Sequence, residues 1–194
     1  MPFARHLPRK CAPLALILAA VAACGTSRPL AARPPVIGPG GRPAETVDFE
    51  LADARGGKAH RLSDFRGRPV VVHLFTTWCA PCEAEFQNLN EIVRLHAEAG
   101  DVAILGISLD LDARKLIPVF LDVRKLNYPV AVADERMLHG ETPFGTVRAI
   151  PATFLVDAEG RHVETFQGVV PFAHLNARLA PLLRPPAGRA QPTP

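Results

Sequence analysis

Val70-Val71-Val72-His73-Leu74-Phe75-Thr76-Thr77-Trp78-Cys79-Ala80-Pro81-Cys82 is the stretch on which the reading of this chain turns. Its first six residues make an apolar, β-branched run, the pattern of a strand buried on both faces. Its last residues open a segment in which Phe86, Leu89, Val93 and Ala97 recur at helical spacing, so the two cysteines stand where a strand passes into a helix. A helix N-terminus carries unpaired N–H groups and a partial positive charge, which favours a thiolate on Cys79 over the thiol. Cys82 lies one turn further on, within reach of a mixed disulfide formed at Cys79, and Pro81 fixes the backbone between them. The pair reads as a reversible two-electron switch that attacks disulfides.

Outward from this dithiol, strand and helix patterns alternate. Residues 49–52 and 59–62 flank Gly56 and Gly57, predicting a short hairpin, and residues 63–67 lead into the strand at 70–75. The helix that opens at Cys82 is predicted to run to Ala99, with Gly100 as its C-cap. Residues 103–109 form a second apolar strand. Asp112 caps a helix in which Leu116, Phe120 and Val123 share a face, its start delayed by Pro118 to about Ile117. Residues 129–133 make a short third strand, and 153–156 with 162–166 an antiparallel hairpin around Asp157 and Gly160. A last helix follows Pro171, with Phe172, Leu175 and Leu179 on one side until Pro181. No internal repeat is present. The pattern predicts an α/β fold with a mixed central β-sheet flanked by helices.

With 194 residues, 48% of them hydrophobic, the chain supports one globular domain, placed at 45–184. Residues 1–23 are excluded from it. Arg5, Arg9 and Lys10 precede an apolar run over 12–23, too short for the roughly 20 residues that span a bilayer, and this is the pattern of an export signal. The small residues just before Cys24 resemble the lipobox of bacterial lipoproteins, in which that cysteine becomes the lipidated first residue of the mature chain. Residues 24–44, rich in Pro and Gly, read as a tether that neither builds a core nor lies in an element, reaching up to roughly 60 Å from the anchor. Residues 185–194 read as a disordered tail.

Loss of the signal leaves Cys79 and Cys82 as the thiols, since Cys11 goes with it and Cys24 carries lipid. It also removes three of the 22 Lys and Arg and none of the 19 Asp and Glu, so the formal charge of +3 falls to zero. Nothing in that balance suggests a nucleic-acid partner.

Further motifs fit the same plan: Leu62-Ser63-Asp64-Phe65-Arg66-Gly67 before the first core strand, Tyr128-Pro129-Val130, Phe144-Gly145, and Ile150-Pro151-Ala152-Thr153-Phe154 with Asp157 and Gly160. Together with Trp78 to Cys82 they resemble the thioredoxin fold and, within it, the membrane-anchored TlpA-like and ResA-like thiol-disulfide oxidoreductases. The likeness covers about Glu45 to Leu183. A lone CxxC is a weak signal, but one set between strand and helix, about 70 residues before Ile-Pro-x-Thr-Phe, is specific. Residues 113–134 look like the extra strand and helix that separate this group from plain thioredoxin.

The resemblance implies that Pro151 is cis and faces the dithiol, aiming the backbone of Ile150 at a substrate chain. It implies that Trp78 borders the docking surface and that Glu85, one turn after the second cysteine, tunes the thiols. It further implies an exported, lipid-anchored monomer on the periplasmic or extracytoplasmic face. Such a protein reduces disulfides of client proteins, of the cytochrome c or cupredoxin/oxidase assembly type, and is recharged by a membrane thiol electron donor. No cofactor is expected beyond the Cys79–Cys82 disulfide, and no metal.

Two positions depart from the family. His73 stands six residues before Cys79, where thioredoxin has a buried acid and many TlpA-like chains have Asn. Either the imidazole relays the proton that the resolving thiol must lose, or it is a core histidine bonded to backbone. Gln87 stands where the family often has a helix-kinking proline. Two other functions share the dithiol: a Cu(I) metallochaperone using Cys79, Cys82 and His139, and a thiol peroxidase of the peroxiredoxin-like branch, which needs a threonine three residues before the reactive cysteine, where Thr76 stands.

Overall fold

The computed structural model describes residues 36–97 and 100–183, so the predicted signal at 1–23, Cys24 and the tail at 185–194 lie outside the described residues. β1 (Glu50–Leu51) and β2 (His60–Arg61) pair antiparallel as the predicted hairpin. β3 (Val70–Phe75) then leads to α1 (Cys82–Ile92), which passes into a wider π-type turn at Val93–Ala97. β4 (Ala103–Ser108), α2 (Ala113–Arg124) and β5 (Val130–Val132) follow. Next come α3 (Glu135–Leu138) and a small hairpin, β6 (Glu141–Thr142) with β7 (Gly145–Thr146). β8 (Ala152–Val156), β9 (His162–Gln167) and α4 (Phe172–Leu179) complete the order.

Five strands make the central sheet in the order β5-β4-β3-β8-β9. β5, β4 and β3 run parallel, and β8 and β9 run antiparallel to their neighbours, which is the mixed sheet the sequence predicts. β3 is central because all six of its residues are buried, as a strand covered on both faces must be. Its alternation divides the core: Val71 and Phe75 face a layer with Phe86, Leu89 and Leu175, while Val70, Val72 and Leu74 face one with Leu51, Leu62 and Met137. His73 shares the parity of Val71 and Phe75 and so lies under α1. A side chain at Gly106, paired with His73 across β3 and β4, would meet Val130 at 3.0 Å and the rings of Phe75 and Tyr128 at 3.3 Å. Glycine there lets those rings close over the sheet.

Three expectations are corrected. Residues 36–44, assigned to a featureless tether, instead fold back on themselves: Ile37 bridges Pro43, the Ala44 amide donates to the Val36 carbonyl at 2.9 Å, and Pro39–Gly41 forms one 3₁₀ turn. Proline and glycine favour that tight turn as readily as an extended tether, and the next residues dock on β9 through the His162 amide, which donates to the Glu45 carbonyl. α2 starts at Ala113 and carries Pro118 inside it. Its buried face is Ala113, Ile117 and Leu121, whereas Leu116 and Val123 of the predicted stripe stay exposed. The helix carries two apolar stripes, and burial of the first, worth about 1.5–3 kcal/mol for each large side chain, outweighs the roughly 3 kcal/mol cost of an internal proline. Finally, α3 and the β6–β7 hairpin had no clear periodic signal, being of four and two residues per element.

Candidate active site

β3 delivers its chain end to the mouth of the fold, where residues 76–78 turn into the cysteine pair. Cys79 and Cys82 are joined as a disulfide, with Cα atoms 5.3 Å apart. The two differ in access: Cys79 is 6% exposed and Cys82 fully buried at the start of α1. The Cys82 amide donates to Cys79 Sγ at 3.2 Å. That bond and the helix N-terminus favour negative charge on the first sulfur once the bridge opens. Trp78, 76% exposed, stands on the surface beside the pair rather than in the core. Thr77 and the outer stripe of α2, Leu116, Val119, Phe120 and Val123, line a groove on that flank.

Below the sulfurs lies a buried polar cluster. Glu85, three residues after Cys82 and so on the same helix face, has no exposed surface. The Thr153 hydroxyl donates to its Oε1 at 2.8 Å. The same hydroxyl oxygen is 3.2 Å from His73 Nδ1, and that nitrogen lies 3.8 Å from Glu85 Oε2, too long for a hydrogen bond. Burial pushes the Glu85 carboxyl up to about 7, an effect that the hydrogen bond from Thr153 and, less, the Val170 backbone amide oppose. Burial likewise drives the His73 imidazole down to about 3. Both groups are therefore neutral in the closed disulfide form near pH 6. Tyr128 closes one side; its hydroxyl is raised by burial and by the Glu85 charge. Glu85 Oε2, His73 Nε2, Tyr128 Oη and Thr76 Oγ1 are buried without a partner.

A second carboxylate fixes the approach to Cys79. Asp110, just beyond β4, accepts from the Thr77 amide at 2.9 Å, the Thr77 hydroxyl at 2.8 Å and the Ser108 hydroxyl at 2.9 Å. These bonds hold residues 76–78 against the end of the neighbouring parallel strand.

Of the residues singled out from sequence, Cys79, Cys82, Glu85 and His73 come together. The Ile150–Pro151 bond is cis, and the β3–β8 register, which pairs Leu74 with Ala152, sets Pro151 beside the end of β3 where the cysteine loop begins. Ile150 is half-buried against the α1 side of the core. His139 is spent locally, its Nδ1 2.7 Å from the Glu135 carbonyl, and among the described residues no group of three His, Cys, Asp or Glu side chains is placed to hold a metal. Thr76, on which the peroxidase alternative rests, is buried. Two residues of the site went unassigned from sequence. Thr153 was visible in the Ile150 to Phe154 motif, two residues past Pro151 and so on the same strand face. Asp110 was visible as an acid following an apolar strand, at the carboxyl end where parallel sheets place their functional groups.

The AhpC/TSA family pattern matches residues 43–163. The thiol-disulfide oxidoreductase ResA of Bacillus thuringiensis strain Al Hakam is 33% identical over 125 residues, covering 64% of this chain and 68% of that protein. A secreted thiol-disulfide isomerase from Corynebacterium glutamicum superposes with a TM-score of 0.63 at 27% identity, over 71% of this chain and 84% of that one. The exposed lipoprotein thioredoxin of Streptococcus pneumoniae strain TIGR4 gives a TM-score of 0.52 at 28% identity, over 70% and 100%.

Proposed function

From the premise that the chain belongs to the AhpC/TSA family and is a thiol-disulfide oxidoreductase of the thioredoxin fold, we propose that it is an exported, membrane-tethered reductant of client-protein disulfides. The clients are of the cytochrome c or cupredoxin/oxidase assembly type. The asymmetry of the dithiol carries this reading: Cys79 is the reachable sulfur, and Cys82 is sealed above Glu85.

The Cys79 thiolate attacks one sulfur of the client disulfide, and the other client sulfur leaves as a thiolate that takes a proton from water. Cys82 gives its proton to Glu85 and attacks Cys79 Sγ, releasing the second client sulfur as a thiolate. Two electrons reach the client, and the protein is left with the Cys79–Cys82 disulfide and a protonated Glu85. A carboxyl raised to about 7 suits that exchange at neutral pH. Trp78 and the Ile150 backbone flank the incoming chain. A membrane thiol donor runs the same steps backwards, so the cycle needs no cofactor beyond the cysteine pair, and one copy of the chain suffices. Export and tethering are supported by the segment at 1–23 with Cys24, and by the secreted and lipoprotein character of the two similar solved structures.

Cys82→Ser in the full chain, expressed in its native host, tests the reading. Client proteins should be recovered as mixed disulfides on Cys79, from the membrane fraction. An empty Cys79, under conditions where the wild-type pair cycles, would sink it.

A further inference from the structure

His73, Thr153 and Glu85 come from β3, β8 and α1, and each is completely buried. The geometry fixes where the protons sit. Thr153 has one hydroxyl proton, and it goes to Glu85 Oε1 at 2.8 Å. Its oxygen is then free to accept, and His73 Nδ1 stands 3.2 Å away. Were the imidazole proton on Nε2, a buried N–H donor would face no acceptor, because Nε2 has no partner. With the proton on Nδ1, only a lone pair is left unmatched, the smaller penalty. While Glu85 is a carboxylate, which can only accept, the chain of donation therefore runs in one direction, from His73 to Thr153 to Glu85.

We propose that Thr153 and His73 are positioning residues for proton exchange at the dithiol: His73 orients the Thr153 hydroxyl, which occupies Glu85 Oε1 and leaves Oε2 as the oxygen that takes the Cys82 proton. This rests on Glu85 being the acceptor for Cys82. The groups that face Glu85 are Cys82 on its own helix, His73 on β3, Thr153 on β8, Tyr128 ahead of β5 and the Val170 amide ahead of α4. Among them Thr153 gives the larger hydrogen-bond stabilisation of the carboxylate, its hydroxyl 2.8 Å from Oε1, ahead of the Val170 amide. The Thr153 bond stabilises the charged form against burial, and without it more of Glu85 is already protonated at neutral pH, so fewer molecules hold the carboxylate that can take the Cys82 proton.

The test is stopped-flow oxidation of the reduced full chain by 5,5′-dithiobis(2-nitrobenzoate) across pH 5–9. The first thionitrobenzoate released reports attack by Cys79 and the second reports resolution by Cys82. For Thr153→Val the midpoint of the second phase should move up by about one pH unit, slowing it several-fold at pH 7, while the first phase holds its rate. Thr153→Ser should restore the wild-type midpoint. His73→Phe, which keeps a ring but not the donor, should shift the midpoint in the same direction by less. An unmoved midpoint in Thr153→Val, in a protein where Glu85→Gln removes the pH dependence of the second phase, overturns the positioning role alone. If Glu85→Gln itself leaves that dependence intact, the Glu85 reading falls and the positioning role with it.

Discussion

Replacing His73 by Asn isolates one proton-linked part of stability, and its sign follows from burial. The folded imidazole titrates at about 3 against 6.5 when exposed. As pH falls from 6.5 to 3, the unfolded chain takes up a proton that the fold refuses. Stability present above 6.5 is thus lost on acidification, at about 1.4 kcal/mol per pH unit and about 5 kcal/mol in all. Glu85 works the other way, because its folded value of about 7 lies above the 4.5 of the exposed group. Its contribution is complete below 4.5 and is lost as pH rises to 7, by about 3 kcal/mol. Between pH 4.5 and 6.5 the two slopes oppose one another, so the pair adds little net pH dependence there. In His73→Asn the amide can still donate to Thr153, but nothing titrates at residue 73. The difference in unfolding free energy, wild type minus variant, should grow by about 2 kcal/mol from pH 4.5 to 6.5, the slope falling off as pH approaches 6.5. Urea unfolding of the oxidised protein at pH 4.5, 5.5 and 6.5 and fixed ionic strength measures it, with equal m-values required. Other titrating groups are common to both proteins and cancel. A flat difference would refute the reasoning, and a slope of opposite sign would mean that His73 is charged and paired with Glu85 across their 3.8 Å.

Two further outcomes follow from neighbouring parts of the structure. Asp110→Ala removes a buried carboxylate that accepts three hydrogen bonds and orphans the Thr77 amide, so a loss of about 3 kcal/mol in unfolding free energy is expected from urea unfolding, together with slower attack by Cys79; a loss under 1 kcal/mol would show that the clamp is slack. Gly106→Ala drives a methyl to within 3.0 Å of Val130 and 3.3 Å of the Phe75 and Tyr128 rings, and overpacking there should cost about 1–3 kcal/mol in thermal or urea unfolding, whereas wild-type stability would mean that the rings move aside freely.

Periodicity exposed the long elements because burial alone shapes them. The six buried residues of β3, and the Phe172, Leu175 and Leu179 stripe of α4, could hardly have been read otherwise. α2 was misread in its face because Leu116, Phe120 and Val123 are as apolar as Ala113, Ile117 and Leu121, and only the packed sheet distinguishes them. The exposed stripe lies in the groove with Thr77, so the residues that misled the reading flank the dithiol. At the site, the cysteines and Glu85 were legible because they stand close together in sequence at the start of one helix. Thr153 and Asp110 act across 68 and 33 residues of chain, and such pairings have no local pattern to betray them.

The cysteine loop and the proton-holding carboxyl are tied to one structural variable, the register of β8 against β3. His73 pairs with Thr153 and Leu74 with Ala152, so the same alignment that brings the hydroxyl to the imidazole carries Pro151 to the end of β3 where the loop to Cys79 begins. Pro151 and Thr153, two residues apart, share a strand face, as do His73 and Phe75. A slip of one residue would turn Thr153 into the opposite layer and strand the Glu85 carboxyl without its donor. The one irregularity in the β8–β9 pairing lies between Leu155 and Val156, past Thr153 and away from Pro151, so the strand adjusts its fit at the end where no chemistry depends on it.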